Sequence, residues 1–249
     1  MELIPVKVRP LKAPKDDLLA ALRATKLKLK DGDIVAISSK VVSIDEGRSV
    51  PVEGTDKESL VEGEAEWIRR VRKGNHRHRF TIAKGAMAGS AGIDQSNGNG
   101  HYILYPADPF ASAKRLRTWL MKEYGVKRIG VLITDSTSIP LRRGAIGFAL
   151  SWDGFVPLKD YRKKKDLVGR AFKVEVANIA DGLAAGAVVA MGEGDESTPV
   201  VIIRGANVEF GNKKTREPLI TAPEHDMFAP LLWSTRWRKG RGRTSRNRS

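Results

Sequence analysis

Three carboxylates stand in settings that suit phosphate and metal chemistry. Asp94 lies in Gly92-Ile93-Asp94-Gln95-Ser96-Asn97, after a glycine-rich approach. Asp135 closes the apolar run Gly130-Val131-Leu132-Ile133-Thr134 and is followed by the hydroxyls of Ser136, Thr137 and Ser138. Glu193 lies in Met191-Gly192-Glu193-Gly194-Asp195. A carboxylate at the C-terminal end of a strand faces the crevice where α/β sheets bind ligands. Two or three such groups, with hydroxyls and carbonyls, suit hard cations such as Mg2+ or Mn2+, and those in turn suit a phosphate-bearing substrate. Each acid taken alone is more often a turn cap or an Asx-turn.

Other chemistries are excluded more firmly. Cysteine is absent, which removes disulfides, thiolate zinc sites and thiol nucleophiles together. Four histidines leave little for a histidine metal site, and His76 and His78 sit among arginines as a surface strand would place them. There is no Gly-x-x-x-x-Gly-Lys-Ser/Thr loop, no Gly-x-Ser-x-Gly elbow and no His-Glu-x-x-His pair. Gly192 and Gly194 let backbone approach a phosphate, and Arg142-Arg143 suits an anionic substrate.

The elements that must position these residues alternate. Residues 18–27 have a helical apolar rhythm behind Asp16-Asp17, and residues 34–37 form a buried strand after the Asp31-Gly32-Asp33 turn, which residues 41–44 continue or follow. A surface helix is expected over 60–72 and a strand over 76–83. Residues 112–124 form an amphipathic helix closed by Gly125. Strands are expected at 128–135, 171–176 and 199–204, with an Ala/Gly-rich helix at 179–191. The alternation predicts an α/β fold of mixed α+β character.

The chain has 249 residues and is 41% hydrophobic, enough for a sizeable core. No apolar run has the length of a membrane span, and the first residues lack a signal-peptide pattern, so a cytoplasmic protein is expected. Lys and Arg number 44 against 29 acids, for a net charge of +15. Seven of the basic residues fall between 236 and 249, where there is no acid. That segment reads as a disordered basic tail over 235–249, suited to nonspecific nucleic-acid contact.

As an ordered set, these segments resemble the coenzyme F-420 gamma-glutamyl ligase family. The resemblance rests on Asp31-Gly32-Asp33, Ser39-Lys40-Val41-Val42-Ser43, Ala91-Gly92-Ile93-Asp94-Gln95-Ser96-Asn97, Tyr105-Pro106-Ala107-Asp108-Pro109 and Ile133-Thr134-Asp135. It continues through Arg142-Arg143-Gly144, Lys159-Asp160-Tyr161, Met191-Gly192-Glu193-Gly194 and Ile203-Arg204-Gly205. It implies a non-P-loop, intertwined ligase fold that forms a homodimer, with a ligase-like region over 1–215 and an extension over 216–234. It also implies a GTP- and metal-dependent enzyme that joins L-glutamate by an amide bond to a carboxylate of an anionic acceptor, the deazaflavin coenzyme precursor. Glutamylation of a folate is a related use of the fold, and a catalytically altered, polyanion-binding member is the remaining alternative.

By the same resemblance, Asp94, Asp135, Ser136 and Glu193 match the Mg2+ or Mn2+ positions. Pro10, Leu11, Ser39, Lys40, Asn97, Met191, Gly192, Gly194 and Asp195 match nucleotide contacts, and Arg142 and Arg143 are acceptor-binding candidates. The chain departs from the family pattern at Ile44, where a lysine is usual, and at Ser136-Thr137-Ser138-Ile139.

Overall fold

The computed structural model describes residues 1–73, 76–213, 215, 218–234 and 236–243, with backbone alone at 72, 73 and 76–78. The chain opens with β1 (Glu2–Val6), α1 (Leu18–Thr25), β2 (Ile34–Ser38) and α2 (Ser39–Asp45). Next come β3 (Ser49–Pro51), α3 (Lys57–Glu64), β4 (Trp67–Lys73), β5 (His76–Ala83) and β6 (Ala86–Ala88). A 3-10 turn at Gly89–Gly92 leads to β7 (His101–Ile103) and α4 (Pro109–Tyr124). β8 (Gly130–Thr137), β9 (Ile146–Asp153), β10 (Leu158–Asp160), β11 (Val176–Asn178), α5 (Ile179–Met191) and β12 (Val200–Arg204) follow, then α6 (Ala229–Leu232) and β13 (Arg238–Lys239).

The central sheet has the order β1-β12-β2-β8-β9. Only β2 and β8 pair in parallel; the other neighbours are antiparallel. Strand alternation sends β2 side chains to two cores. Val35 and Ile37 pack with Leu22 of α1, Val42 of α2 and Leu116 and Leu120 of α4. Ile34 and Ala36 pack with Ala180, Leu183, Ala184 and Ala187 of α5. The sheet is therefore covered on both faces, which is why its inner strands read as continuous apolar runs. Gly147 of β9 lets α5 lie close: a Cβ there would stand 2.6 Å from the Ala184 carbonyl oxygen.

The helix ends follow their caps. The Asp17 carboxylate accepts from Ala20 N at 2.8 Å, and the Asp108 carboxylate accepts from Phe110 N and Ala111 N at 3.1 Å. Gly125 closes α4 in the left-handed region at φ 67°.

Four expectations change. Residues 41–44 are not strand but lie inside α2: β2 ends at Ser38, beside Thr134, and Val41, Val42 and Ile44 turn back into the core. A short apolar run suits either period, so the sequence left this open. The helix expected over 60–72 is α3, capped by Asp56, and it gives way to β4 after Ala65. The strand expected over 171–176 reduces to β11, with Ala171 held by an isolated bridge to Lys165. Residues 158–178 form one long hairpin arm, tied by Tyr161 N to Glu175 O (3.0 Å) and Phe172 N to Lys164 O (2.9 Å).

The fourth change concerns the basic segment. β13 pairs antiparallel with β4 and extends a second sheet, of order β13-β4-β5-β6. Trp237 is buried and stacks edge-on with Trp233, which stacks edge-on with Trp67. Arg238 is ion-paired with Glu62, Lys239 lies over the Trp67 ring, and Gly240 N donates to Glu66 O at 3.0 Å. Two tryptophans and an open strand edge outweigh the polar composition here. Residues 244–249 lie outside the described part.

Candidate active site

Parallel pairing places Ser38 of β2 beside Thr134 of β8, so the two strands present their carboxyl ends together. β8 runs two residues past Asp135, because β9 pairs Phe148 with Asp135 and Gly147 with Ser136. Asp135 thus projects from within a strand rather than closing it. Asp94 comes from the loop after the Gly89–Gly92 turn. Its backbone is bridged to Ile103 in both directions, Asp94 N to Ile103 O at 3.0 Å and Ile103 N to Asp94 O at 2.7 Å.

The acid pair is electrostatically loaded. Burial pushes the Asp135 carboxyl up to about 6, and the nearby Asp94 charge adds to the rise. The Tyr105 hydroxyl, the Ser136 backbone N–H and the Lys40 charge oppose it. At Asp94 burial also favours the neutral acid, but Lys40 and Ser96 outweigh it and hold the carboxyl below its ordinary value. Lys40 Nζ stands 2.7 Å from Asp94 Oδ2 and donates to Ser96 Oγ (2.8 Å) and Ser96 O (3.0 Å). Ser96 N donates to Asp94 Oδ1 at 2.8 Å, so Asp94 does form an Asx-turn and faces Asp135 as well. Tyr105 is 3% exposed. Its hydroxyl faces Asp135 but does not complete a well-aligned hydrogen bond there.

A glycine loop lies against the Asp94 loop. Asn97, at φ 56°, donates from Nδ2 to Gly194 O at 3.3 Å. Met191, at the end of α5, takes the Thr134 hydroxyl on its sulfur (3.7 Å) and the Thr198 hydroxyl on its carbonyl (2.6 Å). Ser38 N donates to Pro199 O and Val8 N to Ser197 O, tying the loop to β2 and to the segment before Pro10. Glu196 folds back over the loop: Gly194 N donates to Glu196 Oε2 at 2.9 Å, and a Cβ on Gly192 would lie 2.2 Å from the Glu196 carboxyl carbon.

The expected site residues are therefore only partly assembled. Asp94, Asp135, Ser136, Lys40, Asn97, Met191, Gly192 and Gly194 gather around the ends of β2 and β8. Ser39 is buried in the first turn of α2. Glu193 and Asp195 are exposed on the glycine loop, and among the described residues no group of three metal-binding side chains comes together. Leu11 is buried, while Pro10 is exposed; Asp16 fastens this segment through Arg9 (2.7 Å) and Lys12 N (2.9 Å). Arg142 and Arg143 are exposed on the β8–β9 loop, where the Arg142 guanidinium donates to its own neighbour, Leu141 O, and its backbone N–H to Ile139 O.

Sequence reasoning gave no role to Ser96, Tyr105 or Glu196. Ser96 was legible as the i+2 partner of an Asx-turn. Tyr105 carried no local signal, since its partner lies thirty residues away. A cavity of about 430 Å3, lined by Leu158, Lys159, Arg162, Lys164 and Val208, opens beside the arm. It lies past the far end of β9, away from the acid pair.

Fold and site together define an α/β protein centred on a carboxylate pair, Asp135 partly buried and Asp94 exposed, and a glycine loop, not on a lysine-tipped phosphate loop. The chain belongs to the F420-0:Gamma-glutamyl ligase family, whose pattern matches residues 8–205. It is 38% identical over 220 residues to the coenzyme F420:L-glutamate ligase of Methanocaldococcus jannaschii, covering 80% of this chain and 86% of the relative. It is 34% identical over 247 residues to the protein of that name from Archaeoglobus fulgidus, covering 93% and 98%. The Methanopyrus kandleri protein of the same name is 35% identical over 250 residues, covering 92% and 97%.

Proposed function

We propose that this chain joins L-glutamate through its amine to a carboxylate of the deazaflavin coenzyme F420 precursor, consuming GTP and requiring a divalent cation. The observation that carries the reading is the Asp94–Asp135 pair, one acid from the loop after the Gly89–Gly92 turn and one from β8 beside the carboxyl end of β2, in a chain of this family. The donor types fit the cation: two carboxylates and the Ser136 hydroxyl are hard oxygen ligands of the kind Mg2+ and Mn2+ take. Glu193 joins them by family resemblance alone. When bound, the cation neutralises charge on nucleotide phosphates.

The chain's own residues have separable tasks. Asn97 fastens the Asp94 loop to the glycine loop, and Gly192 and Gly194 offer backbone to the nucleotide. Lys40 holds Asp94 ionised. Transfer of the terminal phosphoryl group from GTP to the acceptor carboxylate releases GDP. The glutamate amine then attacks the activated acyl carbon, loses a proton and expels phosphate. No side-chain nucleophile is needed, in keeping with a chain that has no cysteine.

A second copy belongs to the proposal. Leu167, Val168 and Val174 are almost fully exposed on the 158–178 arm, and a homodimer that intertwines such arms would cover them. No helix among the described residues is long and apolar enough to cross a membrane, and we place the protein in the cytoplasm. Polyanion contact through the basic segment gains no support, since Arg238 and Lys239 are engaged with the body.

The test is mass spectrometry of purified protein with glutamate, GTP or ATP, Mg2+ or Mn2+, and a panel of deazaflavin and folate acceptors. The expected product is a deazaflavin heavier by one glutamyl residue, formed with GTP and lost in Asp135→Asn. A folate product would redirect the acceptor, and turnover in Asp135→Asn would remove the site.

A further inference from the structure

Among the described residues of the site, the Tyr105 hydroxyl is a buried side-chain polar atom left without a well-formed hydrogen bond. The side chain is 3% exposed. A buried hydroxyl in that state is costly, and phenylalanine would fill the same space without the cost. The chain also gives up much to seat the ring. A Cβ on Gly92 would stand 2.0 Å from the Tyr105 Cζ, so only glycine lets the Asp94 loop pass over it. Ser90, Ala91 and Gly92 are all left-handed, at φ 53°, 55° and 73°, and two of them carry side chains that disfavour it. That turn is held from beneath: Ala91 N donates to Thr81 Oγ1 at 2.7 Å, and the same hydroxyl donates to Ala88 O at 2.5 Å. A strained, braced turn thus presses the ring into place, with its hydroxyl facing Asp135.

We infer that Tyr105 is a positioning residue: its hydroxyl, pinned by Gly92 and the Thr81-braced turn, orients the Asp135 carboxylate for the divalent cation. The inference rests on the cation reading above. Hydrogen-bonding partners of metal ligands typically change metal affinity by about 10- to 100-fold when removed.

The experiment compares the intact protein with Tyr105→Phe and Asp135→Asn. Free Mn2+ is titrated and followed by its electron paramagnetic resonance signal, and thermal melts are recorded without metal. Tyr105→Phe should melt close to the wild-type temperature, because the ring and its packing are kept, yet need about 10- to 100-fold more Mn2+ for half-saturation. Unchanged Mn2+ affinity in Tyr105→Phe, with affinity lost in Asp135→Asn, would overturn the positioning role and leave the cation site standing. A melt several degrees lower for Tyr105→Phe would make the hydroxyl structural and also overturn it. Equal Mn2+ binding by wild type and Asp135→Asn would bring down the cation site and this inference together.

Discussion

Asp135 ties the site to pH. Its folded value of about 6 lies above the ordinary aspartate range near 4, so the fold favours the protonated form. The stability this contributes is whole below about pH 4 and is lost as pH rises through about 6. Other carboxyls, Asp94 and Asp16 among them, are held low and act in the opposite sense, so the difference from Asp135→Asn is the quantity to read. In metal-free protein, Asp135→Asn should gain on wild type in denaturant melts between pH 4 and 7, by up to about 3 kcal/mol. An advantage that does not change with pH would show that Asp135 is not buried as described. The sequence made Asp94 and Asp135 legible because acids among small or hydroxyl residues beside an apolar run or a glycine turn are local signals. The partners that set their charge were less so. Lys40 reaches Asp94 across more than fifty residues, and nothing near Tyr105 says which carboxylate it will face.

At the scale of elements, the legible parts were those with a sustained period or composition. α4 had an amphipathic rhythm and Gly125; α5 stood out by its Ala and Gly content, and the structure adds the Asn178 cap, whose oxygen accepts from Asp181 N at 3.0 Å. α2 and β11 were misread because short runs of Val, Ile and Ala fit either period, and tertiary pairing decides between them. The basic segment was misread for another reason: composition averages away a few large side chains. Trp237, with Trp233 and Trp67, supplies the apolar contact, and the exposed edge of β4 supplies the hydrogen bonds. Trp237→Ala should therefore cost about 3 kcal/mol and lower the melting temperature by several degrees. A melt unchanged by that substitution would return residues 236–243 to the status of a loose tail. Ile220 belongs to the same structure, since a Cβ on Gly85 would meet it at 2.5 Å.

For the whole molecule, alternating strands and helices announced the α/β class, but not that β12 would insert between β1 and β2. Sheet order depends on contacts too distant for any local pattern. The arm shows the same limit: Leu167 and Val168 carried no reading of their own and Val174 fell inside an expected strand, yet the fold leaves all three in solvent. Light scattering should give about twice the monomer mass for the wild type, and Leu167→Ser with Val168→Ser should shift it toward the monomer. A wild-type monomer would end the dimer proposal. The sheet order also sets a schedule for the chain as it is made. β1 has only β12 as a neighbour, and β2 lies between β12 and β8. Residues 2–6 and 34–38 leave the ribosome before their strand partners, and neither meets one until residues 130–137 and then 200–204 have followed. The central layer therefore closes only once β12 has emerged, and the sheet's first strand waits for its last.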